Sequence, residues 1–371
     1  MNTKINLETR RRLVRVAKIG GALAGLVLLG QGCIFSTPKP TANDGGVFKS
    51  VNKGEAWAQK VAVPTVTGQK AYIAGVDVIA LAIDPQDNKA IYAGTLQNGL
   101  FYTLDGGESW LQSKDATVKA GRVASIAVDP KNKCAIYATV NNAVVKSTDC
   151  SRNFGNGKAI FTDERAGARM NSVVVSFADS NVIMAAGSAG DIRRSVDGGK
   201  SWTAIYRPKG DVARLLVSPA DGHRVYAATR ENGIFRSDDN GENWYEVTPD
   251  IKKFSNATYY TTGTIDQKNA DHLIIATKYG LLETTDGGEN WYAIPLVTAP
   301  GQTLIFAIAM NPQNAKEIYY GTQNVFYRTG NGGESWETKR VPTTRALTSL
   351  LVDPKDGNVV YLGVTFVQQE Q

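Results

Sequence analysis

The sequence predicts an all-β fold, a seven-bladed β-propeller in which four-stranded antiparallel blades form a closed ring. Two alternating repeats and the spacing of aromatic residues support this prediction. The pattern Ser/Thr-x-Asp-x-Gly-x-x-Trp, called the Asp motif below, occurs in seven copies, for example SVDGGKSW at 195–202. Its final aromatic residues recur 42 to 53 residues apart, which is the length of one propeller blade. The turn positions are Asn52, Asp105, Asp149, Asp197, Asp239, Asp286 and Asn331, and the aromatic positions are Trp57, Trp110, Phe154, Trp202, Trp244, Trp291 and Trp336.

A second repeat lies between the Asp motifs and predicts the other two strands of each blade. Its clearest copy, IALAIDPQDNKAIYAGT at 79–95, reads as an apolar strand, a turn with Asp and Pro, and a second apolar strand. We name the hairpin strands A and B, and the strands on either side of the Asp motif C and D. The first Asp motif lacks a preceding hairpin, and the last hairpin, at 347–364, lacks a following motif. We therefore expect N-terminal strands C and D to pair with C-terminal strands A and B, which closes the ring.

The N-terminal segment 1–32 has the pattern of an export signal. Its apolar stretch at 19–29 is much shorter than the ~20 residues of a membrane-spanning helix. The basic run TRRRLVRVAK resembles a twin-arginine signal, and the sequence GQGC resembles the end of a bacterial lipobox. Gly30 departs from that motif, which usually has Leu there. We predict cleavage before Cys33 and lipidation of Cys33, with an uncleaved signal anchor as the alternative.

This reading divides the chain into a signal peptide (1–32), a tether (33–43), a propeller (44–366) and a short tail (367–371). The protein is expected to be exported and held by its lipid on the periplasmic or extracellular side of a bacterial membrane. Six of the 41 basic and one of the 35 acidic residues lie in the signal peptide, so the remainder has a net charge near +1. That charge gives no reason to expect a nucleic-acid partner. With two histidines and three cysteines in the chain, we expect no metal and no cofactor, and we expect a monomer.

The residues of the Asp motif fit a structural role. A turn aspartate accepts hydrogen bonds from nearby backbone N–H groups, and glycine supplies the positive φ of such a turn. Two copies have asparagine instead, at positions 52 and 331, which suits a turn acceptor and suits neither a general acid nor a calcium ligand. Each tryptophan is expected to bury roughly 200 Å² between neighbouring blades.

The degenerate copy at 147–154 predicts a disulfide. Cys150 stands where other copies have glycine, and the loop before it is centred on 141–142. Antiparallel pairing about that loop places Cys134 opposite Cys150 on adjacent strands. Because exported proteins meet oxidising conditions, we predict a Cys134–Cys150 disulfide, with two unreacted thiols as the alternative.

Together the two repeats resemble the Asp-box, or BNR, repeat family of β-propellers. That family includes sialidases, xyloglucan-degrading hydrolases, the sortilin N-terminal domain and photosystem II assembly factors. The resemblance spans nearly all of the chain after the signal peptide and implies the fold. It implies little about function, because enzymes and non-enzymes share the repeat.

A binding site is expected on the face that carries the B–C and D–A loops, called the loop face below. The opposite Asp-motif face carries only the short A–B and C–D turns. Arg122 and Arg169 occupy equivalent positions in the repeat, and Arg345 is displaced by one. With Arg214 they can converge at the channel mouth and bind a carboxylate, a phosphate or an acidic protein surface. Four unrelated surface arginines are the alternative.

The sequence supports binding better than catalysis. A sialidase-like site would have to use Asp163, Glu164, Tyr259 or Tyr260, and no spacing pairs them at the roughly 5–9 Å of glycosidase carboxylates. The Arg-Ile-Pro motif of sialidases is missing from the sequence. We predict a non-catalytic binding or assembly scaffold for a protein or glycan on the loop face. The alternative is an extracytoplasmic glycoside hydrolase.

Overall fold

The computed structural model describes residues 43–66 and 69–367 and confirms the seven-bladed β-propeller. Seven four-stranded antiparallel sheets surround a central channel, with strand A innermost and strand D outermost in each. The predicted signal peptide, Cys33 and nearly all of the predicted tether lie outside the described residues. No helix among the described residues has the length and apolar character to cross a bilayer.

Blades 1 to 6 follow the chain in order, each with strands A to D. Three 3-10 turns lie in the connections at Ala116–Val118, Gly155–Gly157 and Pro249–Lys253, and a two-stranded ribbon pairs Ala62–Val63 with Ala71–Tyr72. The strands are Val78–Ile83, Ile91–Thr95, Leu100–Thr103 and Leu111–Gln112 in blade 1; Ile126–Asp129, Asn132–Val140, Ala143–Ser147 and Phe161–Thr162 in blade 2; Met170–Val175, Ile183–Gly187, Ile192–Ser195 and Thr203–Tyr206 in blade 3; Val212–Val217, Val225–Thr229, Ile234–Ser237 and Tyr245–Glu246 in blade 4; Tyr260–Ile265, Leu273–Thr277, Leu281–Thr284 and Tyr292–Ile294 in blade 5; and Ala307–Asn311, Asn314–Gly321, Val325–Thr329 and Glu337–Arg340 in blade 6.

Blade 7 joins the two ends of the described chain. Its strands A and B are Ala346–Val352 and Val360–Thr365, and its strands C and D are Gly46–Ser50 and Ala58–Lys60. Strand C pairs antiparallel with strand B, from Gly46 opposite Val364 to Ser50 opposite Val360. The predicted ring closure is therefore confirmed, and both middle strands of this blade, B and C, are paired on each side.

A buried ion cluster reinforces the closure. Arg345 donates from Nε to Asp44 Oδ1 at 3.0 Å and from Nη1 to Asp77 Oδ1 at 2.5 Å. Burial alone would raise the pKa of Asp44, but hydrogen bonds from Thr344 and Arg345 outweigh it and lower that pKa. Asp77 Oδ1 also accepts from the backbone N–H of Phe366 at 2.7 Å. The cluster thus ties strand C of blade 7 to blade 1 and to the end of the last strand.

The aromatic residues of the Asp motif all lie in seams between blades, but at different depths. Trp110, Phe154 and Trp291 are fully buried, whereas the other four are partly exposed. Each fully buried ring belongs to a blade whose preceding D–A connection folds over it. The backbone N–H of Trp110 donates to Ala62 O in the ribbon at 2.8 Å. Phe154 N and Trp291 N donate to Asp115 and Asp250, which start or lie in the 3-10 turns, at 2.8 and 2.7 Å.

Blade 2 departs from the other blades at its C–D turn. Cys134 and Cys150 are joined by a disulfide, and Cys150 N donates to Cys134 O at 3.2 Å. Cys150 and Ser151 have φ of 57° and 72°, the left-handed region that other copies fill mainly with glycine. The crosslink therefore lies at the one turn whose backbone must be left-handed without a glycine.

We expect loss of this disulfide to destabilise the propeller. The double variant Cys134→Ser/Cys150→Ser should lose roughly 3 kcal/mol of unfolding free energy, because the bond closes a loop of about 15 residues. Urea denaturation of the protein purified without reductant, measured with and without added reductant, gives the loss. Alkylation of both cysteines in the unreduced protein, detected by mass spectrometry, would contradict the assignment.

We expect Arg345→Met to weaken the ring closure. The variant leaves Asp44 and Asp77 without their buried cation, which typically costs about 3–5 kcal/mol. Thermal and urea unfolding measure the loss. Arg340→Met, at an exposed position on the outermost strand of blade 6, is the matched control and should unfold like the parent. Equal stability of the two variants would show that the cluster does not hold the ring.

Candidate functional site

The Asp motif uses its own polar atoms within the turn. Asp197 Oδ1 accepts from the backbone N–H groups of Lys200 and Ser201 at 2.9 Å, and its Oδ2 accepts from Ser201 Oγ at 2.6 Å. These hydrogen bonds lower the pKa of Asp197. The same bonds form in the amide copies, where Asn52 and Asn331 accept from the backbone N–H four residues on at 3.0 and 3.1 Å. The turn residues are thus engaged in holding the C–D turn.

The central channel is the main concave feature of the ring. A cavity of about 500 Å³ is lined mostly by strand A residues, together with arginines near its loop-face end. A second cavity of about 330 Å³ opens at the Asp-motif face and shares Arg214, Pro219 and Gln267 with the first. The channel is therefore continuous in its lining, with one mouth on each face.

Arg122 and Arg230 line the loop-face mouth of the channel, and Arg230 was not predicted from the sequence. Arg122 donates to Met170 O at 3.4 Å and to Asn171 Oδ1 at 3.3 Å. Arg230, in the B–C loop of blade 4, pairs with Asp211 at 2.7 Å. Asp211 also accepts from Asn171 Nδ2 at 2.7 Å, so one polar network joins blades 2, 3 and 4.

The electrostatics of this mouth are cationic. Burial lowers the pKa of Arg122, and the nearby guanidinium groups of Arg230 and Arg169 lower it further. Arg169 is exposed, and among the described residues its side chain makes no ion pair. Asp211 is the carboxylate that pairs with Arg230 and opposes the charge of Arg122. We call Arg122, Arg169 and Arg230 the mouth arginines.

The other two predicted arginines lie elsewhere. Arg345 does not line the channel. Its guanidinium forms buried ion pairs with Asp44 and Asp77, and its side chain is only 7% exposed. It is therefore removed from the candidate set. Arg214 lies in the middle of strand A of blade 4, below the mouth, and lines both cavities. An alignment of the repeats cannot distinguish these positions, because it does not show which residues from other parts of the chain pair with each arginine.

The possible catalytic groups are not gathered in the channel. Within the described part of the chain, neither channel cavity is lined by an aspartate or a glutamate. Asp163 is buried against Arg165, whose guanidinium lowers its pKa, with Nη2 to Oδ2 at 2.6 Å. Glu164 is exposed in the same loop, and only Tyr260 of the two tyrosines lines the channel. The described residues also contain no cluster of three or more side chains fit to bind a metal.

One buried histidine lies away from the channel, at the Asp-motif face of blade 5. His272 contacts Asp266 through Nδ1 at 3.1 Å and Glu283 through Nε2 at 2.8 Å. Burial lowers the pKa of His272, but Glu283 and Asp266 raise it by more, so the net shift is upward. The protonated imidazole is therefore stabilised between the two carboxylates.

We expect this histidine to make stability depend on pH. A folded-state pKa above the unfolded value of about 6.5 contributes stability below that pH, and the contribution is lost as pH rises through the folded pKa. His272→Gln should therefore be less stable than the parent at pH 5.5, with a smaller difference at pH 8.5. Urea denaturation at both values tests this. The exposed His223→Gln is the control, and a difference that grows with pH would contradict the assignment.

Comparison with known proteins supports the fold. The sortilin family model Sortilin-Vps10 (Sortilin, neurotensin receptor 3) matches residues 190–291, less than a third of the chain. A search of curated protein sequences finds no match. Among solved structures, the GH74 xyloglucanase from Xanthomonas campestris is similar with a TM-score of 0.61 and 18% identity, covering 78% of this chain and 51% of its own.

Two further similar structures are YCF48 proteins. YCF48 bound to D1 peptide has a TM-score of 0.59 and 14% identity, covering 91% of this chain and all of its own. YCF48 from Cyanidioschyzon merolae has a TM-score of 0.57 and 15% identity, covering 81% and 97%. This chain thus spans about half the length of the xyloglucanase and the full length of a YCF48 propeller. At these identities the likeness shows the fold alone.

Proposed function

We propose that this protein is a membrane-anchored, extracytoplasmic binding scaffold that holds an anionic segment of a protein partner at the mouth arginines. The observation that carries the proposal is the composition of the channel lining. Among the described residues, Arg122, Arg214 and Arg230 line it and no carboxylate does. Guanidinium groups bind carboxylates and phosphates through paired hydrogen bonds, so such a lining attracts an anion.

The same lining argues against the hydrolase alternative. A glycosidase needs two carboxyl groups placed on either side of the bond it breaks. The likeness to a GH74 enzyme concerns the propeller fold, and this chain matches about half of that enzyme. The likeness to YCF48 spans the whole of that chain, and YCF48 has been seen with a bound peptide. The repeated Asp motif and the full ring favour placing this chain with single-ring Asp-box propellers of the binding kind.

The topology favours a partner near the membrane. Strand C of blade 7 starts at Gly46 on the loop face, so the described chain enters the ring on the side of the mouth arginines. If Cys33 carries a lipid, the ten residues after it reach at most about 30 Å, at roughly 3.3 Å per residue. The mouth arginines would then face a membrane, within reach of an acidic segment of a membrane protein.

We expect the mouth arginines to be required for partner capture. The double variant Arg122→Gln/Arg230→Gln should recover at least tenfold less partner than the parent when the lipidated protein is used to pull down proteins from membranes. Recovery by the parent should fall with added salt, because screening weakens exposed charge pairs. Arg340→Gln, an exposed arginine on an outermost strand, is the matched control. Equal recovery by the two variants would contradict the proposal.

An activity screen tests the alternative directly. Turnover of sialosides or β-glucans that is abolished by Asp211→Asn, the carboxylate beside the mouth arginines, would overturn the scaffold proposal. We expect no turnover by the parent.

We expect Cys33→Ser to release the protein from the membrane. The variant removes the thiol that the proposed lipid needs and leaves the described propeller unchanged. Cell fractionation and mass spectrometry of the mature N-terminus measure the outcome. The parent should fractionate with membranes and the variant with the soluble fraction. A variant that remains in the membrane fraction would indicate an uncleaved signal anchor instead.

A further inference from the structure

One position of the inner strands has a small side chain in six of the seven blades, and in blades 2 and 3 that side chain bonds to the next blade. Ser125 of blade 2 bonds to the backbone of Val173 in blade 3, accepting from its N–H at 3.1 Å and donating to its carbonyl at 3.2 Å. Ser172 of blade 3 accepts from Leu215 N in blade 4 at 3.0 Å. This position lies four residues before the residue that begins the A–B turn. The equivalent residues in blades 1, 5, 6 and 7 are Ala80, Thr262, Ala307 and Ser349.

Arg214 is the exception to this rule. It occupies the same position in blade 4, where the other six blades have alanine, serine or threonine. Within the described residues its guanidinium has no ion pair and no hydrogen bond, although the residue is half-buried and lines both channel cavities. An arginine at a position that has only small side chains in the other blades does not serve the packing of the inner strands, and departures of this kind mark functional positions.

A second unpaired polar group lines the same cavity as Arg214. Tyr260 of blade 5 lines the channel and is 6% exposed, yet its hydroxyl has no hydrogen-bond partner among the described residues. The positive charge of Arg214 partly offsets the rise that burial causes in the pKa of Tyr260. Buried polar groups are normally hydrogen-bonded, so an unpartnered pair beside a cavity points to a ligand.

The side chains that line the cavity below Arg214 are mostly apolar, with Ser125, Gln267 and Arg214 as the polar ones. Its wall on the Asp-motif face includes Val128, Val175, Phe177, Val217 and prolines of three A–B turns. Its lining holds no acidic residue, and Arg214 is its cation. A cavity of about 330 Å³ with mostly apolar side chains and one unpaired guanidinium, where it joins the upper cavity, is complementary to a molecule with an alkyl body and one anionic head.

We propose that the lower half of the channel binds an amphipathic carboxylate of the fatty-acid type. The carboxylate pairs with Arg214, whose planar fork suits bidentate binding, and the alkyl chain fills the cavity toward the Asp-motif face. This site is separate from the mouth arginines, and it holds whether or not they bind a protein.

The test uses decanoate as the probe and isothermal titration calorimetry as the measurement. The full chain carries Cys33→Ser, which removes the proposed lipid so that no detergent competes for the site. Decanoate should bind saturably, and Arg214→Ser should weaken it at least tenfold. Arg214→Ser introduces the residue type found in other blades, so it should fold, and thermal unfolding checks this. Arg214→Lys keeps the charge and should retain part of the affinity.

Two matched controls sharpen the result. Decanol has the same chain without the charge and should bind weakly, with no difference between the parent and Arg214→Ser. Arg340→Ser removes an exposed arginine on an outermost strand, outside both cavities, and should bind decanoate like the parent. Equal decanoate affinity of the parent and Arg214→Ser would overturn the proposal. Saturable binding of an apolar hexapeptide with a free C-terminus, but not of decanoate, would also overturn it, because the occupant would then be a peptide.

Discussion

The structure depends on the closure of the ring. Seven sheets wedged around a channel are stable together only if the last sheet meets the first, since an open ring would leave a seam and a sheet edge in water. Here the closure is made within one blade by strand pairing between Gly46–Ser50 and Val360–Thr365. It is fastened by Arg345 between Asp44 and Asp77. Every feature of the channel follows from this geometry, because the inner strands face one another only in a closed ring.

Much of the fold could be predicted from the sequence, because the contacts that form each repeat are between residues close together in the chain. The Asp motif forms its turn from residues at most four apart, and the hairpins pair within one repeat. The disulfide position followed for the same reason, from antiparallel pairing about a short loop. How deeply each aromatic residue of the Asp motif is buried could not be predicted from the sequence. Trp110 and Trp291 are buried by non-repeated segments of the preceding connection, while Trp202 and Trp244 lack such a cover.

The candidate site shows the opposite limit. Arg122 and Arg169 were predicted from their equivalent positions in the repeat. Arg230 lies in a different kind of loop, the B–C loop of blade 4, and is linked to the neighbouring blades through Asp211 and Asn171. Arg345 matched the pattern nearly as well, and its partner Asp44 is 301 residues away. Only the three-dimensional arrangement separates an arginine that neutralises buried carboxylates from one that faces the channel. Arg214 was predicted from its charge, but in the ring it also occupies a position where the other six blades have alanine, serine or threonine.

The way blade 7 is assembled also determines when the ring can close during synthesis. Strand C at Gly46–Ser50 is among the first parts of the propeller to be made, whereas its partner Val360–Thr365 is the last strand. Until the final hairpin is complete, that early strand has an unpaired edge and Asp44 has no cation. Contacts of such long sequence separation form late and slowly. The ring is therefore completed in a single late step, and a chain interrupted before Arg345 would keep an exposed edge that invites pairing with another chain.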